Sequence, residues 1–172
     1  MADTTLTTQT GAEIEYTALR EELVKRMEAR TQFISITLTL GGAFLGIGWG
    51  QGAVALLVFP PLAALLASGW AQNETRLQQI QVYIREQLSE KIPGLGWEKF
   101  AHEMDQKTRS TGWLMDLFSV GGIFILTQLL AIFLGSFRLD AREPVQLLLM
   151  VVALASVVIV VLLINHVRRQ IR

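Results

Sequence analysis

Apolar residues gather in four long blocks separated by polar and charged segments. The blocks 33–49 and 53–71 are joined only by Gly50-Gln51-Gly52, a connection too short for anything but a hairpin. The blocks 117–135 and 145–164 form a second pair, joined by the polar segment 136–144. A bilayer core about 30 Å thick needs roughly 20 apolar residues rising about 1.5 Å each, so every block is long enough to cross it. The pattern predicts an all-α integral membrane protein with four transmembrane helices arranged as two hairpins.

The polar segments carry a second pattern. Tyr16, Leu19, Leu23 and Met27 recur at three- and four-residue spacing ahead of the first block, and Leu77, Ile80, Ile84 and Leu88 do so after the second. Pro93-Gly94-Leu95-Gly96 breaks the chain, and Trp97, Phe100, Met104 and Thr108 mark a third stripe beyond it. Asp140 and Glu143 form an N-cap pair for the last helix. The expected helices are 13–49, 53–91, 97–135 and 141–171, with a flexible tail over 1–12 and a basic tail ending at 172. Each of the first three would be nearly 60 Å long at about 1.5 Å per residue, half of it outside the lipid. A stripe needs another stripe to bury it, which predicts a cytoplasmic helical bundle. The alternative is that the stripes lie flat on the membrane surface, and the lack of chain breaks before the spans favours the upright arrangement.

Composition agrees with the blocks: 51% of the 172 residues are hydrophobic and 17% charged, where a soluble domain carries about 25% charged. The first thirty residues are polar, so the first block is expected to act as an uncleaved anchor rather than a signal peptide. Of the fifteen Lys and Arg residues, only Arg138 and Arg142 lie on the hairpin-loop side of the blocks. The other thirteen flank the opposite ends, which places both termini in the cytoplasm. Trp49, Trp70 and Trp113 stand at block ends, where indoles favour the headgroup zone. Cysteine is absent, which removes disulfides and thiolate chemistry. Basic and acidic residues balance at fifteen each, so no nucleic-acid partner is expected.

Candidate chemistry lies mostly in the first block. Gly42, Gly46 and Gly50 share one helix face and would let another backbone approach, either the second span of the same chain or a second subunit. Gly41 and Gly48 widen that surface. Ser35 and Thr39 precede it on one face, with Thr37 beside them. Their hydroxyls either bond back to the helix's own carbonyls or line a water-filled path. Gln128 is the one strongly polar side chain deep in a span, suited to bridging helices or to projecting into a pore. Pro60-Pro61 should kink the second span and free the carbonyls of Leu56 and Leu57, as a packing feature or as a hinge. No ionisable residue lies near mid-membrane, which argues against proton-coupled transporters and pumps. Asp116, near the inner boundary, could pair with Arg109 or Lys107 or attract cations at an inner mouth.

Catalysis finds no support. His102 stands four residues from Glu98, but no second histidine or cysteine accompanies it, and a solvated helix face is the simpler reading. No phosphate-binding loop or nucleophile arrangement occurs. Neither an enzyme, a metal nor a cofactor is expected. A faint repeat aligns Leu40-Gly41-Gly42-Ala43-Phe44 with Val120-Gly121-Gly122-Ile123-Phe124, through hairpin duplication or through chance in apolar sequence.

The run Glu15-Tyr16-Thr17-Ala18-Leu19-Arg20-Glu21-Glu22-Leu23, then Arg26 and Arg30, leads unbroken into a glycine-rich hairpin and a further charged helix. Over about the first ninety residues this layout resembles small bacterial membrane proteins of the SLATT group, two-span proteins proposed to perturb membranes in conflict systems. The second hairpin departs from that pattern. The resemblance implies a bacterial inner-membrane effector and transfers no functional residues. Two functions are expected to compete. The first is a homo-oligomeric pore gated by its cytoplasmic bundle, with a cytoplasmic protein or small ligand as possible trigger. The second is a non-conducting scaffold whose cytoplasmic helices bind a partner.

Overall fold

A computed structural model of the chain describes residues 11–89, 91–92, 100, 103–104 and 121–170. Its elements are α1 (Gly11–Gln51), α2 (Ala53–Tyr83) extended by a π-helical turn (Ile84–Leu88), α3 (Gly122–Ser136) and α4 (Pro144–Gln170). There is no strand among the described residues. Three of the helices (α1, α2 with its extension, and α4) are long and apolar enough to cross a membrane, and α3 is a shorter apolar helix. The expected third span is described from residue 121 onward; its earlier part, with Trp97, Thr108, Trp113 and Asp116, lies outside the described residues, as does 1–10 of the tail.

α1 and α2 reverse direction at Gly52, whose φ of 99° falls where L-side chains are strained. Its amide donates to the Gly48 carbonyl at 3.2 Å and closes the turn. α2 is the centre of the fold. It packs against α1, α3 and α4, and half of its apolar window is buried, against 17% for α1 and 22% for α4. Small side chains make this possible: Ala63, Ala64, Ala67 and Ala71 of α2 are all buried. A Cβ at Gly69 would stand 2.8 Å from the Phe33 ring, one at Gly135 3.0 Å from Leu57, and one at Gly48 would overlap Leu56. Association in lipid relies on such close approach, because lipid tails are as apolar as leucine.

α4 buries Ala153, Ser156, Val160, Ile164 and Val167 along one stripe. Its other faces expose Val151, Leu154, Val158 and Leu162, so it is apolar all round. That is the pattern of a helix solvated by lipid rather than water. The helix opens at Pro144 rather than at 141, because proline's fixed φ suits a first helical position and restrains the residue before it. Asp140 caps the preceding turn through Arg142 N–H at 2.9 Å, and the Gln146 side chain returns to accept from Asp140 N–H at 2.8 Å. α2 runs unbroken through Pro60 and Pro61.

In the charged extension, Leu23 of α1 and Leu77, Ile84 and Leu88 after the α2 span are buried together, with Tyr16, Leu19 and Ile80 packed against them. The π turn closes through Ser89 N–H to Ile84 O at 2.9 Å, and Ile84 and Leu88 are both fully buried. Met27 does not join them: it is 46% exposed. At its level α2 presents polar residues, since Asn73 donates to the Arg26 carbonyl at 2.9 Å and Glu74 pairs with Arg30 at 3.5 Å. Tyr83 donates to Glu15 at 2.8 Å and ties the far end of the pair.

Candidate functional site

The glycines of α1 divide between two faces. Gly41 and Gly48 are buried against α2, where Cβ atoms would meet Phe59 at 3.2 Å and overlap Leu56. Gly42, Gly46 and Gly50 are exposed, and a Cβ built on any of them meets nothing within 4 Å among the described residues. Of the two alternatives for this face, packing against the second span of the same chain is therefore not what it does.

Ser35 and Thr39 continue the same open face and are exposed. Thr37, between them, is fully buried, and its hydroxyl donates to the Phe33 carbonyl at 2.7 Å. Ser35 and Thr39 make no such side-chain bond among the described residues. An apolar helix thus carries a stripe of two unbonded hydroxyls and three bare glycines, at successive spacings of four, three, four and four. Each glycine costs about 1 kcal/mol relative to alanine in a helix interior unless the space is used.

Gln128 lies on the inward face of α3 between Phe124 and Ala131, all three fully buried. Neither its Oε1 nor its Nε2 has a hydrogen-bond partner among the described residues. Trp70, at the end of its block, is turned inward rather than outward. It is 6% exposed, packed 5.9 Å from the Phe124 ring, with its indole N–H unpartnered among the described residues. Trp49 keeps an outward position at 70% exposure.

The loop between α3 and α4 closes over the α1 C-terminus. Arg138 donates to the carbonyls of Gly48 and Trp49 and lies 5.3 Å from the Trp49 ring centroid. The last four carbonyls of a helix have no intrahelical partner and carry partial negative charge, which a guanidinium satisfies. This contact joins the two hairpins, and nothing in the sequence spacing marks it.

No group of His, Cys, Asp and Glu suited to a metal occurs among the described residues. Asp116, His102 and Glu98 lie outside them. The long apolar helices define the chain as a membrane-embedded helical protein. No family model matches the chain, and neither curated proteins nor solved structures yield a match.

Proposed function

We propose that the protein is a four-span, homo-oligomeric pore of the plasma membrane, with both termini cytoplasmic. Its α1 face from Ser35 through Thr39, Gly42 and Gly46 to Gly50 meets other copies and lines a conducting path. The open glycine face carries this reading. None of the described residues packs on it, yet bare glycine and unbonded hydroxyls are poorly matched to lipid, which accepts no hydrogen bonds. A second backbone at the glycines and water at the hydroxyls would satisfy both. The charged extension of α1 and α2, together with the third stripe beginning near Trp97, forms the gate. Pro60-Pro61 is the candidate hinge within α2, and Asp116 the candidate inner-mouth charge.

The test is subunit count by native mass spectrometry in nanodiscs, followed by ion flux from liposomes. A closed ring of four or more with flux supports the pore. A monomer or dimer sinks it, because too few helices remain to surround water. Gly46→Leu then examines the face itself. Among the described residues nothing lies within 4 Å of a Cβ at Gly46, so the variant is expected to fold as the parent does while flux falls to background.

The scaffold reading keeps one observation in its favour. Val24 and Met27, on the charged extension, are 56% and 46% exposed. A partner helix would cover them with no conduction, and the flux measurement separates the two readings.

A further inference from the structure

α1, α2 and α4 all change from apolar to charged at one level, and an open cleft of about 1040 Å³ lies there between them. Its apolar floor is Phe33 from α1 with Leu163 and Val167 from α4. Its rim carries Arg26, Arg76 and His166, and none of its described lining residues is acidic. Of the nearest carboxylates, Glu22 is bound by the rim's own Arg26, whose Nε donates to it at 2.8 Å, and Glu74 pairs with Arg30. Arg76 donates only to Gln79 Oε1, at 3.1 Å, among the described residues. Asn73, one turn from Arg76 on α2, donates to the Arg26 carbonyl at 2.9 Å and so holds the α1 and α2 backbones together where the two arginines stand.

We infer that this cleft binds a phosphate group, and that the phosphate belongs to an anionic membrane lipid. Two guanidiniums from different helices suit phosphate oxygens, since each presents N–H donors in a planar fork. The gradient of the walls selects the source. A soluble phosphate gains nothing from Phe33, Leu163 and Val167, whereas the glycerol and first acyl carbons of a phospholipid would cover them. The depth agrees, because the cleft stands where each helix passes from apolar to charged residues, the level of the headgroups. Glu22 remains beside Arg26, so Arg76 makes the larger contribution. The inference is independent of whether the protein conducts.

The test is native mass spectrometry of the full-length protein released from nanodiscs containing phosphatidylglycerol and phosphatidylcholine in equal amounts. Phosphatidylglycerol is expected to be retained in preference, and Arg76→Gln to lower that preference roughly tenfold, the loss of one charge-assisted contact. Arg76→Lys, which keeps the charge, retains part of it. Arg85→Gln, which removes a charge paired with Glu86 outside the cleft, leaves it unchanged. Circular dichroism of each variant establishes that the helices are intact. A parallel arm adds inorganic phosphate to lipid-free protein in detergent. Equal retention of the two lipids, or equal preference in Arg76→Gln and the parent, overturns the inference. Phosphate adducts in the second arm without lipid preference in the first overturn the lipid assignment.

Discussion

Gln128 pairs the most polar side chain of the spans with a fully closed environment, and both of its amide atoms lack partners among the described residues. Burying an unpaired amide costs about 1–3 kcal/mol by mutational measures. Gln128→Leu keeps the volume and removes the penalty, so the thermal midpoint in detergent is expected to rise by an amount matching about 1–3 kcal/mol. A lower midpoint would mean that the amide is satisfied and holds helices together. Arg138 is the opposite case, a polar group that donates to two backbone carbonyls. Arg138→Ala removes the side-chain donor from the Trp49 carbonyl, one of two donors from the Gly48 carbonyl, which keeps the Gly52 amide, and the cation from the Trp49 ring, with an expected loss of about 1–3 kcal/mol in denaturant unfolding. Arg138→Lys restores the charge but not the fork, and recovers only part. The sequence singles out Gln128 by polarity alone, but its burial depends on α2 and α4 closing around α3. The Arg138 contact joins positions 89 and 90 residues apart, and no local pattern encodes such a pair.

At the scale of elements, periodicity is informative wherever water is the solvent. The charged extension exposes one face to water, so Tyr16, Leu19 and Leu23 stand out from charged neighbours, and they pack with Leu77, Ile80, Ile84 and Leu88. Met27 fits the same spacing and is exposed, because what it faces on α2 is set by Asn73 and Glu74, whose bonds go to Arg26 and Arg30. Ile84→Ala is expected to cost about 2–5 kcal/mol, since Ile84 is fully buried. Its readout is hydrogen exchange: protection falls over 11–30 and 72–88 and is retained in the apolar parts of α1, α2 and α4. Met27→Gln stays within about 0.5 kcal/mol of the parent. Loss of protection along the whole chain in Ile84→Ala would show that the extension and the spans unfold as one unit. Inside the spans periodicity carries little, because lipid and protein neighbours are both apolar. Gly41 and Gly48 cannot be told from Gly42, Gly46 and Gly50 until α2 is placed beside them.

For the whole molecule the question is which surface meets another copy and which meets water, and the absence of cysteine makes it accessible. Each single-cysteine variant introduces the only thiol in the chain. Oxidation links two copies only where Cα atoms come within about 7 Å, a distance that glycine-lined helix contacts reach and bulky lipid-facing surfaces do not. Gly46→Cys is expected to give a covalent dimer in native membranes. Leu162→Cys, on the exposed face of α4 at 61%, is expected to give none. Ser35→Cys lies one half-span from Gly46 on the same α1 face and is expected to react with a charged, membrane-impermeant thiol reagent, as a water-lined position would. Cross-linking at Leu162 in preference to Gly46 would move the subunit contact to α4 and leave the glycine face to lipid. Cross-linking at Gly46 with an inert Ser35 would keep the oligomer and remove the water path. That outcome selects the scaffold, because the glycines would then hold copies together while the hydroxyls faced no aqueous surface.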